Sequence, residues 1–197
     1  MSDKIRSILN KMNELEGELQ KALQEQTTGM FFEINGKRVQ FEDDIKKIHR
    51  QLRVKLLNWI SNSQWQNWVS IPFIYSMIIP LIIFDLSITL YQAICFPLYK
   101  ITKVRRENYI VFDRNYLEYL NFIEKFHCTY CSYGNGVVAY GREIIARTEQ
   151  YWCPIKHAHK VVGSHTRYAK FLEYGAAENY HTKLIELRED LSKIKED

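Results

Sequence analysis

Four residues in the second half of the chain have the types and spacing of a metal site: Cys128, Cys131, Cys153 and His157. Cys-x2-Cys presents two thiolates to one ion, and Cys153-x3-His157 supplies the other two corners of a tetrahedron. Zinc suits such a Cys3His set, because it takes mixed S and N ligands and needs no redox partner. A zinc clasp of this kind would be structural. The same cysteines could instead hold iron: Cys153-x3-His157 has the spacing of the second half of a CDGSH-type [2Fe–2S] motif, although the first half of that motif is not matched. Reduced buried thiols and thiol redox chemistry are the other uses of these cysteines. His127, His159 and His165 lie close enough in sequence to replace His157 as the fourth ligand.

Asp85 is the other residue that calls for chemistry. It is the single charge in the 31 residues from Val69 to Tyr99. An acid held at mid-bilayer costs about 2.5–3.5 kcal/mol on insertion scales unless it is paired or watered. Its candidate partners are Ser87, Thr89, Gln92 or a second copy of itself, the last giving an oligomeric ion or proton pore. Glu124-x-x-His127 and Glu178-x-x-His181 have the spacing of di-iron bundles, a pattern that also arises by chance on helices. No serine–histidine–acid triad, phosphate loop or glycine-rich nucleotide fingerprint is present, so no catalytic constellation is readable and the balance is against an enzyme.

The elements that would position these residues follow from periodicity. Ile5, Ile8, Met12, Leu15, Leu19 and Ala22 recur at steps of three and four, giving an amphipathic helix with a possible self-associating seam. Asn35-Gly36 between two β-prone runs predicts a hairpin. Glu42 to Trp59 reads as one basic helix which, with Trp59, Trp65 and Trp68, resembles an interfacial helix. The apolar run then needs roughly 20 residues to cross about 30 Å of hydrocarbon, and it has them. Pro80 should kink it. A re-entrant hairpin bending at Asp85 is the alternative to one span.

Beyond the apolar run, Asp113 is expected to cap a helix reaching about Phe126. Gly134-Asn135-Gly136 is expected to be a turn. A second helix should run from Val137 to about Trp152, stopping before Pro154. A last helix, 178–197, carries Leu184, Leu187 and Leu191 on one side. The chain therefore reads as mainly α in three parts. Residues 1–68 hold a helix, a hairpin and an interfacial helix, 69–99 the membrane segment, and 100–197 a cytosolic helical domain clasped by metal.

Composition narrows the partners. The 197-residue chain has net charge +4 and a pI near 8.8, too even a balance to point to nucleic acid. Basic residues beside an apolar run suit anionic lipid headgroups instead. Arg50, Arg53 and Lys55 precede the run; Lys100, Lys103, Arg105, Arg106 and Arg114 follow it. The larger second set favours a cytoplasmic C-terminal side, and a hairpin would keep both termini there. Membrane lipids and a protein partner, or a second copy, are the expected partners.

Ile71-Pro72-Phe73-Ile74-Tyr75, Cys95-Phe96-Pro97-Leu98-Tyr99, Tyr109-Ile110-Val111-Phe112-Asp113-Arg114, Cys131-Ser132-Tyr133 and the twelve residues Ala146 to His157 together give the segment 71–157 a recognisable signature. It resembles a group of uncharacterised bacterial integral-membrane proteins. The resemblance implies the bacterial inner membrane as location and carries no mechanism. An accessory or adaptor subunit with a zinc-clasped domain is the expectation these features combine to give, with a membrane-anchored iron or iron–sulfur redox protein as the contrast.

Overall fold

The computed structural model describes residues 32–35 and 38–194 and, before them, Ser7, Lys11, Glu14, Leu15, Gly17, Glu18, Leu19, Lys21 and Ala22. Of the N-terminal seam, Leu15, Leu19 and Ala22 are helical and exposed, while Ile5, Ile8 and Met12 lie outside the described residues. The chain forms two compact units, residues 1–59 with 113–125, and residues 60–112 with 126–197.

In the first unit, β1 (Phe32–Asn35) and β2 (Arg38–Phe41) pair antiparallel with Asn35 opposite Arg38. Asn35 is thus the last paired residue of β1, and Gly36 lies outside the described residues. The basic helix is shorter than its sequence suggests. Helix α1 (Asp43–Leu52) stops because Arg53 turns extended, and a separate short helix, α2 (Leu56–Ser61), follows. What holds Arg53 is Glu118: the Arg53 guanidinium donates to its carbonyl at 2.9 Å and to its carboxylate at 2.8 Å. Arg50 reaches the same carboxylate at 3.4 Å. His49 sits edge-on to Phe41 and Tyr119. Asp113 opens a short 3-10 turn, Asp113–Tyr116, and caps no long helix. The long helix starts later because Asn121 and Glu124 form a reciprocal capping box: the Glu124 N–H donates to the Asn121 side chain at 3.0 Å and the Asn121 N–H to the Glu124 carboxylate at 2.8 Å.

The second unit is built on the apolar run. Helix α3 (Trp65–Ser76) and helix α4 (Ile78–Leu98) meet at Met77. Proline lacks an N–H and its ring collides with the carbonyl four residues back, so a helix cannot run regularly through Ser76 to Pro80. The break falls ahead of Pro80, which leaves it in the first turn of α4, where a missing donor costs nothing. Past this step α4 continues straight through Asp85. The re-entrant bend at Asp85 is corrected: no glycine or proline lies between Leu81 and Phe96 to break the helix.

The end of α4 is a Schellman motif. Ile101 N–H donates to the Phe96 carbonyl at 2.9 Å and Lys100 N–H to the Pro97 carbonyl at 3.3 Å, with Lys100 left-handed at φ 54°. The chain then returns along α4 through residues 101–112 and enters α5 (Phe122–Trp152), a single helix of 31 residues. Gly134-Asn135-Gly136 lies inside it, so the expected turn is not formed. These glycines serve close approach. A Cβ on Gly136 would lie 2.6 Å from the Tyr109 carbonyl oxygen, one on Gly134 would lie 3.3 Å from Leu81, and one on Gly141 would strike the Phe84 ring. Contacts between α3–α4 and α5 advance together, from Ile74 with Tyr130 through Asp85 with Tyr133 and Tyr91 with Thr148 to Tyr99 with Trp152, so the helices run in the same direction.

Helix α5 ends at Trp152, just before Pro154, as the proline predicts. A short pairing of Ile155 with Leu172 follows, and then α6 (Tyr180–Lys193), whose Leu184, Leu187 and Leu191 are buried. The core of this unit joins Ile88, Phe96, Ile101, Val104, Tyr140, Ile144 and Leu191.

Candidate functional site

Helix α4 is built inside out. Buried on it are Asp85, Ile88, Gln92 and Phe96. Exposed are Ile79, Pro80, Ile82, Ile83, Leu86, Ser87, Leu90, Ala93, Ile94, Pro97 and Leu98. At 3.6 residues per turn these eleven fill one continuous arc of about 160°. The arc holds no charge, and Ser87 is its one polar residue. Asp85 is 7% exposed while its neighbour Leu86 is 67% exposed. A water-soluble helix turns its apolar stripe inward; this one turns its polar groups inward and presents aliphatic side chains outward.

The inward polar groups are satisfied. The Arg106 guanidinium donates to both carboxylate oxygens of Asp85, at 3.2 Å and 2.7 Å. Tyr133 donates to the same carboxylate at 3.0 Å, and Thr89 lies at 3.5 Å. The hydrogen bonds of Asp85, opposed by partial burial, raise the Arg106 pKa further above its usual range. Burial, followed by the hydrogen bond to Asp85, raises that of Tyr133. Seven residues along α4, the Gln92 amide meets Val104 as a strand would. It accepts from the Val104 N–H at 2.9 Å and donates to the Val104 carbonyl at 3.2 Å, with Tyr140 as a further partner. The return segment is therefore clipped to α4 at two places by the only buried polar side chains α4 carries among the described residues.

A second polar cluster sits farther along α5. Glu143 accepts from Arg147 at 2.9 Å and from Arg167 at 2.6 Å. Arg147 also donates to the Thr102 carbonyl at 2.6 Å, which ties the return segment to α5. Burial pushes the Glu143 carboxyl up, but the Arg167 and Arg147 guanidinium groups outweigh it and hold it below the usual range. Gln150 donates to the Leu187 carbonyl at 2.9 Å and locks α6 in place.

The four predicted metal ligands are not brought together. Cys128 and Cys131 are one turn apart within α5, while Cys153 follows its far end, 22 residues beyond Cys131. At 1.5 Å per residue a continuous helix sets them about 33 Å apart. The spacing argument required a turn at Gly134-Asn135-Gly136 to fold one pair onto the other, and no turn is there. His157 stays on the far side, stacked on Tyr168. Zinc, or iron in its place, has no assembled site on this set, and no group of three or more His, Cys, Asp or Glu among the described residues has the placement of a metal site. Glu124 is committed to its capping box, and the His127 ring packs on Tyr75.

Of the partners proposed for Asp85, Thr89 is at hand. Arg106 and Tyr133, which carry the interaction, are not legible from local spacing. The available signal was general: an acid in an apolar helix needs a cation, and the nearest basic cluster in sequence is the one that contains Arg106. By length and composition, Trp65–Leu98 is a 34-residue helical stretch apolar enough to cross a membrane, and 11% of its most apolar window is buried inside the fold. Comparison of the chain with protein-family models, curated proteins and solved structures gives no match.

Proposed function

We propose that this chain is a membrane-bound accessory or adaptor protein. The outer arc of α4 anchors it in lipid, and the polar region made by the second half of α5, residues 153–179 and α6 is displayed to a partner in water. The observation that carries this is the inverted polarity of α4: about 160° of charge-free aliphatic surface outside and every strongly polar group inside. Fully burying a Leu or Ile is worth about 1.5–3 kcal/mol, and although the seven on the arc are already partly buried, roughly half that gain from each exceeds what a reversible lipid anchor needs. Lys100, Lys103 and Arg105 follow directly and suit the anionic lipids of a cytoplasmic leaflet. With the resemblance of 71–157, this favours the cytoplasmic face of a bacterial inner membrane.

Membrane fractionation tests the proposal. The chain should sediment with membranes, resist extraction by high salt and by alkaline carbonate, and dissolve only in detergent. Recovery in the soluble fraction as a monodisperse protein would overturn it.

A further inference from the structure

The outer arc of α4 is only one side of the element, and the opposite side bears on how the protein meets its membrane. Clipped against the middle of α4 by Asp85 and Gln92 is the return segment, whose Lys103, Arg105, Arg106 and Glu107 are all exposed. On α5, Gly141 contacts Phe84 and the next residue, Arg142, is exposed. These charges therefore stand level with the centre of α4, not at its ends. If α4 crossed the bilayer along its normal, that level would be the hydrocarbon core, where each Arg or Lys costs about 2.5–3.5 kcal/mol. Four such cations at mid-depth, with Glu107 beside them and a charge-free arc on the other side, describe a helix wet on one side and dry on the other.

We propose, on the basis of the membrane reading above, that α4 lies in the plane of the membrane within one leaflet and does not span it. The partner of the outer arc is an anionic phospholipid surface. Ile79, Ile83, Leu86, Leu90, Ile94 and Leu98 dip into the acyl boundary by about 5–10 Å, as interfacial helices do. Lys100, Lys103 and Arg105 supply complementary charge to the headgroups. The polar residues of α4 are left to bind the rest of the protein, which stays in water on the same side throughout. Both termini then lie on one side of the membrane.

Depth measurement along the arc decides this. A cysteine-free full-length protein (Cys95, Cys128, Cys131 and Cys153→Ser) receives single nitroxide labels at Ile79→Cys, Leu86→Cys, Leu90→Cys and Leu98→Cys. It is then bound to phosphatidylcholine vesicles containing phosphatidylglycerol. Relaxation by oxygen and by a water-soluble nickel chelate gives the depth of each label. In-plane insertion gives Ile79, Leu86 and Leu90, which lie near the middle of the arc, depths that agree within a few ångströms, with Leu98 at the edge of the arc shallower, and all four shallower than one leaflet. A depth that rises to a maximum near Leu86 and Leu90 and falls at both ends would overturn the inference and leave the membrane anchor standing. Failure to float with vesicles, with the arc covered by a second copy in water, would overturn both. The unmodified chain with a tag at each end supplies a check free of cysteine replacement. In sealed spheroplasts both tags should be cut, or both protected, by added protease; one cut and one protected would overturn the inference.

Discussion

The Asp85–Arg106 pair joins a buried acid to a cation that local spacing does not point to, beside the Thr89 that it does. Asp85 is nearly sealed, whereas the Arg106 side chain is 46% exposed and can keep water. The two halves of the pair should therefore respond unequally to mutation. Asp85→Asn leaves Arg106 solvated and keeps hydrogen-bonding capacity, and should cost about 1–3 kcal/mol. Arg106→Leu strands a buried carboxylate with only Tyr133 and Thr89, and should cost about 3–5 kcal/mol. Thermal unfolding in detergent ranks the two, and equal losses would show that the pair is not the clasp described. Glu143 gives a second residue-scale prediction. Its folded pKa is depressed, so the stabilisation it provides is fully present above its ordinary value of 4.5 and is lost as pH falls below that through the folded value. Stability should decline as pH drops from about 5, and Glu143→Gln should be less stable at pH 7 while showing a shallower acid decline.

Local pattern served the elements unevenly, and each failure has a physical cause. The stop of α5 before Pro154 and the buried Leu184, Leu187 and Leu191 of α6 depend on neighbours in sequence, and both were legible. Gly134-Asn135-Gly136 looked like a turn because glycine permits one, yet here it permits contact with Leu81 and the Tyr109–Ile110 backbone. That distinction belongs to tertiary structure. The same continuous helix holds Cys128 and Cys131 apart from Cys153, because bringing the two pairs together required that turn. Gly136→Ala is the direct test. Alanine gains up to about 1 kcal/mol of helix propensity over glycine, but its Cβ would meet the Tyr109 carbonyl oxygen at 2.6 Å and the Ile110 Cα at 3.0 Å, backbone contacts that cannot swing away. A net loss of about 1–3 kcal/mol is expected from the overpacking. Lys100 works the other way. It occupies the left-handed position of a Schellman motif at φ 54°, where a side chain is penalised, and no Cβ is needed. Lys100→Gly should stabilise by up to about 1 kcal/mol, read as a rise in melting temperature.

At the scale of the molecule, the sequence announced an apolar run but not which way its side chains face. Hydropathy counts residues without regard to direction, so a spanning helix and a one-sided helix look alike until Asp85, Thr89 and Gln92 are seen on the inside. Direction makes a prediction that length does not. Leu86→Glu with Leu90→Glu puts two carboxylates on the outer arc without touching the core, because both side chains are more than 60% exposed. Folding should be nearly unchanged, since exposed substitutions usually alter stability by about 0.5 kcal/mol or less. Membrane affinity should collapse, because two apolar anchors are lost and two negative charges are set against an anionic surface. As a control, Leu184→Glu on α6 buries a charge in the core and should unfold the protein. Flotation with anionic vesicles beside circular dichroism separates the two. Detachment with intact helical signal would place the membrane contact on the outer arc of α4, whereas undiminished flotation of the Leu86→Glu/Leu90→Glu protein would move the anchor elsewhere on the chain.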